Sequence, residues 1–331
     1  MTVVMTARRS IFAFTFVLLL AAGASYAAAD DYPDRTVTIV APAAPGGLYS
    51  LFARIIAARL ERRLGGTFIV ENRPGAASVV GATYVAHASP DGYTLMTATS
   101  TTMATNVTLR KSLPYDPVTD FAPVMLIARV PEVLVVNAAL PVHSIADLVA
   151  LANATPGGLS FGSAGAGTSQ HLDGEMLKSV LGIAMTHVPY RGMAPAITDV
   201  AGGHIALMFS PIPIAQPLID AGKLRPLGVT TAQRIDALPG VPPLADIGVP
   251  GYDASSWFML VAPAKTPRDI IAKLYGALDG FANDPDIGRE FNQLGMTAVA
   301  SPPPQELEAF VRSEIARWGA ILQKAGLEGS E

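Results

Sequence analysis

Short β-branched runs alternate with stretches of helical periodicity along most of the chain, a pattern that predicts parallel sheets flanked by helices. The first unit carries it well. Residues 36–40 read as a buried strand and 41–47 as a turn rich in proline and glycine. Leu48, Leu51, Phe52, Ile55, Ile56 and Leu60 then fall on one helical stripe, with Arg54, Arg59, Glu61, Arg62 and Arg63 largely off it. Gly65 and Gly66 supply a left-handed stop after basic residues in the last turn, and a strand follows at 68–70.

A counterpart lies near the middle of the chain. Residues 159–161 are extended, 162–167 form a loop of small residues, and 169–181 carry Leu172, Met176, Leu177 and Val180 on one helical face. Further strands are expected at 94–97, 133–136, 205–209, 227–230 and 257–261, and a closing helix at 306–325. Two segments, 129–137 and 254–261, lack the composition of a flexible tether and read as strands crossing between two lobes. The expected organisation is therefore a signal segment at 1–29, a first lobe of 30–130 plus 255–331, and a second lobe of 131–254.

The segment 1–29 changes where the protein is expected to work. Basic Arg8 and Arg9 precede an apolar run at 11–22, and small residues follow through Ala29, the order of a secretory signal. The run is shorter than the ~20 residues a membrane span needs, so cleavage near Ala29 and a periplasm-like location are expected. Export by the general secretory route is favoured over the twin-arginine route.

Composition narrows the function classes. With half the residues apolar, 15% charged and a net charge of −4 without like-charge blocks, the chain does not look like a nucleic-acid binder. Five histidines stand apart in sequence and there is no cysteine, which excludes disulfides and thiol chemistry and argues against a metal site. No cofactor is expected. Any anion would have to be held by a local arrangement.

Two loops supply such an arrangement: Pro42 to Gly47, and Ser163 to Ser169. Each lies between a predicted strand and a helix, where unpaired N–H groups and glycines without Cβ atoms suit an anion. The plainer reading is that the glycines only make tight turns. Gly165-Ala-Gly167 lacks the third glycine of a dinucleotide fingerprint, because the matching position is Gln170, and no phosphate-loop Gly-Lys-Ser/Thr is present. Ser163 sits one residue short of a nucleophile elbow. A serine hydrolase using Ser163 or Ser169 with His171 or His187 stays open on spacing alone.

A series of short segments also carries a family resemblance. Tyr32-Pro33, Pro45-Gly46-Gly47, the run from Val70 to Ala76, Ser89 to Leu95, Leu113 to Asp116, Asp120 to Pro123, Ser163 to His171, His187 to Gly192 and Ala221 to Arg225 occur in order over the chain beyond the signal. Together they resemble the Bug receptors, the extracytoplasmic solute-binding proteins of tripartite tricarboxylate transporters. The resemblance implies a two-lobed, type II periplasmic-binding-protein-like α/β fold, with mixed sheets flanked by helices, two crossing strands and a cleft. It implies a small organic acid as ligand, membrane transporter subunits as partners, a monomeric receptor and no enzymatic activity. It further implies that the two glycine loops face each other and hold a carboxylate through backbone N–H groups, partly through water. Position by position this points to Gly46 and Gly47 on one lobe and to Ser163, Ala164, Gly167, Thr168 and Ser169 on the other, with Tyr190 as a side wall. A sensor that feeds a signalling partner would use the same binding chemistry.

The chain departs from the family pattern at several of these places. After Pro45-Gly46-Gly47 the family usually carries an aspartate, where this chain has Leu48, Tyr49 and Ser50. Losing that carboxylate should weaken preference for amino and hydroxy acids, while Tyr49 could supply an aromatic wall. Ala43, Met103 and Ser210 replace a phenylalanine, a histidine and an aspartate that the family often has. The expected ligand is an aromatic or aliphatic carboxylate without an amino group. Arg73 and Arg191 are expected to brace their turns, His171 to help cap its loop, and Trp257 and Trp318 to be core or lobe-interface residues.

Overall fold

The computed structural model describes residues 32–330, so the signal segment expected at 1–29 and the cleavage expected near Ala29 lie outside the described residues. The first half of the fold opens with β1 (Val37–Ala41), α1 (Leu48–Leu64), β2 (Phe68–Asn72), α2 (Val79–Ala86) and β3 (Thr94–Thr99). β1 lies between β2 and β3, parallel to both. Val37, Ile39, Val40 and Ala41 have no exposed surface, as suits a parallel strand covered on both faces. α1 buries Phe52, Ile56 and Leu60 of the stripe read from the sequence, while Leu48, Leu51 and Ile55 are half-buried and Arg59, expected off the stripe, is buried with Ala53 and Ala57.

After β3 a π-helical turn at Thr101–Thr105 runs into the short helix α3 (Asn106–Leu109). β4 (Phe121–Asn137) follows and is 17 residues long. It starts well before the crossing segment expected from sequence, because its first half pairs antiparallel with β9 (Ser255–Pro263), from Phe121 opposite Pro263 to Pro131 opposite Ser255. β9 pairs β3 on its other side.

The second half of β4 belongs to a different set of neighbours. There it accepts β7 (Leu207–Pro211) and β8 (Leu224–Val229), both antiparallel. α4 (Ile145–Ala154), β5 (Leu159–Ser163), α5 (Ser169–Leu181), β6 (Met185–Pro189) and α6 (Met193–Gly202) complete this region, with β5 parallel to both β6 and β7. The strand path is β2-β1-β3-β9-β4-β7-β5-β6, a mixed α/β sheet flanked by helices, with β8 and β10 (Thr297–Ala298) also on β4. α7 (Ile212–Asp220), α8 (Arg268–Ala277), α9 (Pro285–Gln293) and the closing helix α10 (Pro304–Lys324) cover it.

The two segments expected to cross between lobes meet at one point. The Thr230 hydroxyl accepts from the Glu132 N–H, the Thr230 N–H donates to the Glu132 carbonyl, and the Ala254 N–H donates to the Thr230 carbonyl, each at 2.9 Å. One apolar core extends from Met96, Leu109 and Phe121 to Phe161, Leu172 and Phe209, and so underlies both regions of sheet. Trp257 and Trp318 are buried in it, and both indole N–H groups donate to Glu314 Oε2, at 2.7 and 3.2 Å. Burying a tryptophan is inexpensive when its N–H finds an acceptor of this kind.

Candidate functional site

In open α/β sheets ligands bind beyond the carboxyl ends of parallel strands, where loops feed the N-termini of helices. β1, β3 and β5 each end at a segment of that kind. The β1 loop contains Gly46 at φ +91° and Gly47 as the extended N-terminal residue of α1, which has no side-chain cap. Both glycines are exposed, and a Cβ built on either would meet nothing within 4 Å. The loop is therefore open on the Cβ side of both glycines, directly ahead of a helix start that no side chain caps.

Tyr49 and Ser50 sit on the first turn of α1. The half-buried Tyr49 packs edge-on against Phe258, with ring centroids 5.2 Å apart, and its hydroxyl is 2.7 Å from Thr99 Oγ1. Burial raises the phenol's pKa, so it stays a neutral donor and acceptor. Ser50 is fully buried and accepts from Asn72 Nδ2 at 2.7 Å, while the same amide donates to the Ala43 carbonyl at 2.8 Å. Ser50 thus ties the loop to the end of β2 from beneath.

The loop after β5 is built differently. Ser163 Oγ donates to the Gly165 carbonyl at 2.9 Å, accepts from the Gly165 N–H at 3.1 Å and lies 2.6 Å from His187 Nε2. Thr168, the N-cap residue of α5, turns its hydroxyl back to the Gly165 carbonyl at 2.7 Å instead of capping the helix. The Gly167 N–H donates to His171 Nδ1 at 3.1 Å, which fixes that nitrogen as an acceptor. His171 and His187 stack with centroids 3.8 Å apart. Burial first, then the His171 and Lys178 charges, push His187 down to about 3, so it is neutral near pH 7.

The expected residues of the second loop come together. Tyr190 N–H donates to the Ser163 carbonyl and Gly192 N–H to the Ala164 carbonyl, both at 3.1 Å, which holds the Tyr190 turn alongside Ser163, Ala164, Gly167, Thr168 and Ser169. The Tyr190 hydroxyl donates to Asp199 Oδ2 at 2.6 Å, and burial together with that carboxylate raises it to about 12. Gly167, at φ +76°, lies so close to α3 that a Cβ there would sit 2.3 Å from Leu109 Cδ2. The pairing of a serine with a histidine raised by spacing is real, yet Ser163 has no exposed surface for a substrate carbonyl to approach.

Sequence reasoning missed a third element, the hydroxyl-rich stretch after β3. Ser78 Oγ lies 2.8 Å from Thr102 Oγ1, which is 3.4 Å from Thr99 Oγ1, and Ser100 Oγ is 3.0 Å from Ser256 Oγ. The density of Ser and Thr from Thr97 to Thr105, at the end of an expected strand, was the available signal. It also missed Glu132, whose carboxylate accepts from Ser169 Oγ at 2.8 Å and from Gln170 Nε2. The bracing roles expected of two other residues are visible. Arg73 pairs with Glu71 at 2.7 Å and lies over the Tyr84 ring at 3.6 Å, and His171 holds its loop through Gly167.

Among the described residues no group of three or more His, Asp or Glu is placed to hold a metal ion, and no helix is long and apolar enough to cross a membrane. Residues 52–327 match the model of the tripartite tricarboxylate transporter family receptor. The chain is 34% identical to protein BugT of Bordetella pertussis over 299 residues, covering 90% of this chain and 91% of that one. It superposes on R. palustris Rpa4515 with adipate at a TM-score of 0.83 and 40% identity, covering 89% of this chain and 99% of that one. MatC (Rpa3494) from Rhodopseudomonas palustris with bound malate gives 0.79 and 32%, over 88% of this chain and all of that one. The chain belongs to the tripartite tricarboxylate transporter receptor family.

Proposed function

We propose that this protein is a periplasmic solute receptor that captures an aliphatic dicarboxylic acid between two lobes and delivers it to a tripartite membrane transporter. The observation that carries the reading is the uncapped start of α1 at Gly47, in a loop whose two glycines are exposed and open on their Cβ side. An anion is the natural occupant of such a position. The second carboxylate-binding element is the braced loop from Ser163 to Ser169. The lobes comprise 30–130 plus 255–331 and 131–254, and they close about the crossings at Glu132 and Ala254. The receptor acts as a monomer after cleavage near Ala29, and it uses no cofactor.

Adipate rather than malate is the better guide to the ligand. Ser50, at the position where the family usually carries an aspartate, is buried and accepts from Asn72, so no carboxylate there receives a ligand hydroxyl or ammonium group. Backbone N–H groups at about 1.5 to 3 kcal/mol per charge-assisted bond, with a buried methylene chain, suffice for micromolar affinity. No group in the site has to react.

Thermal-shift screening of the mature protein against adipate, malate, glutamate and short-chain esters tests this. A ligand at 100 times its dissociation constant adds about 2.7 kcal/mol of stability. The expected result is a clear rise with adipate, smaller rises with malate and glutamate, and no ester turnover. No shift with any dicarboxylate, together with ester consumption that is lost in Ser163→Ala, would replace the receptor by a hydrolase.

A further inference from the structure

Two buried carboxyl groups stand behind the second loop, and neither is used by the reading above. Glu132 lies on β4 at the crossing and is 1% exposed; Asp173 lies on α5 and is 3% exposed. Ser169 and Gln170, in the first turn of α5, both donate to Glu132 Oε1. The other oxygen, Oε2, is buried and receives no nitrogen or hydroxyl donor. The Asp173 carboxyl group is the acidic neighbour of the Glu132 carboxyl group, placed to bond it. Two carboxyl groups can bond in this way only if one of them carries a proton, and a proton on Asp173 supplies the donor that Oε2 lacks.

We propose that Glu132 and Asp173 share a single proton and together position the N-terminus of α5, so that capture of a carboxylate at the loop before it requires that proton. The proposal rests on the receptor reading. Its geometry follows the chain: Gly167 and Thr168 lead directly into Ser169 and Gln170, the residues that Glu132 holds. If the proton leaves, two negative charges share one buried site beside the helix end that receives the anion. They repel each other and the ligand.

The surroundings favour retention of the proton. Burial is the main cause that raises both groups, and for Asp173 the Glu132 charge adds to it. From α10, Arg317 is the cation that favours ionised Asp173, but it is also engaged with Glu314 at 3.4 Å and with the Asp253 carbonyl. From the segment before β9, the Tyr252 hydroxyl donates to the Asp173 backbone carbonyl at 2.9 Å. On α5 itself Lys178 pairs with Glu175 at 3.0 Å, and His171 stacks on the neutral His187. β7, opposite Glu132, presents Ser210 and Pro211 and no charge.

The sign of the pH dependence follows. Groups whose pKa is raised by folding stabilise the fold at low pH and lose that contribution as the pH climbs through the raised value. Adipate affinity should fall in the same direction. Asp173→Asn and Glu132→Gln each replace the shared proton with a permanent amide donor of nearly the same shape.

The experiment is calorimetric titration of the mature protein with adipate at about pH 6 and about pH 8.5, with melting curves of the ligand-free protein at both values, for wild type and both variants. The expected result is about tenfold weaker binding and a lower Tm for wild type at the higher pH, against a change of about twofold or less in Asp173→Asn. Parallel pH profiles in wild type and Asp173→Asn would overturn the proposal. Failure of adipate to bind at either pH overturns the receptor reading instead. The melting curves then decide the shared proton alone: a slope present in wild type and absent from Asp173→Asn supports it, and equal slopes refute it.

Discussion

The loop after β1 and the loop after β5 occupy equivalent places at the ends of parallel strands, yet they are built by opposite means. Around Gly46 and Gly47 the backbone faces open space, and its support comes from below, through Ser50 and Asn72. Around Gly165 and Gly167 almost every polar group is already bonded within the loop, and the backbone abuts Leu109. The first is an open platform ahead of an uncapped helix start. The second is a loop whose hydroxyls are spent on holding its own shape.

This contrast can be broken in order of expected effect. Gly167→Val forces a side chain into Leu109 at a positive φ and should remove about 3 kcal/mol of stability together with adipate binding, read by melting and calorimetry. Gly47→Asp should do the opposite to the fold. At φ −92° the position accepts any residue, and an aspartate N-cap adds a few tenths of a kcal/mol while it takes the free N–H groups and repels the ligand. Affinity is then expected to fall by about 100-fold at unchanged or raised Tm, whereas a Tm loss with intact binding would refute the open-platform description.

Ser163→Ala leaves the Gly165 N–H and His187 Nε2 without their hydroxyl partner, and should lower stability by about 1 to 2 kcal/mol and affinity about tenfold. The smallest effect concerns acid pH. Because His187 is neutral in the fold, its contribution is fully present above the ordinary value of 6.5 and is lost as the pH falls toward about 3. Melting temperatures of His187→Gln should therefore decline less steeply on acidification than those of wild type, and identical slopes would show that His187 does not titrate with folding.

Much of this was legible in the chain. The helix expected at 169–181 is α5 to the residue, and the strand expected at 159–161 lies within β5, because glycines and a left-handed stop at Gly182 punctuate an unbroken apolar stripe. The sequence predicts only the later part of β4, since its first half carries no alternation of its own and becomes a strand only by pairing with β9, far away in sequence. Glycine and proline mark loops locally, so the candidate loops could be found from the sequence. Thr99, Thr102 and Ser78 meet only because β3, α2 and the π-helical turn converge, and no spacing rule reports that.

The sequence by itself determined the alternating α/β units, the two glycine loops, the resemblance to a receptor family and the absence of cysteine chemistry. All of these depend on residues close together along the chain, or on composition. Only the tertiary structure decided that one loop is open and the other closed, that Ser50 faces inward to Asn72, and that Glu132 meets Asp173 behind α5. Those outcomes depend on which side of a strand or helix meets a distant neighbour. Burial then turns the same carboxyl, imidazole or hydroxyl group into a brace, a neutral base or a shared proton.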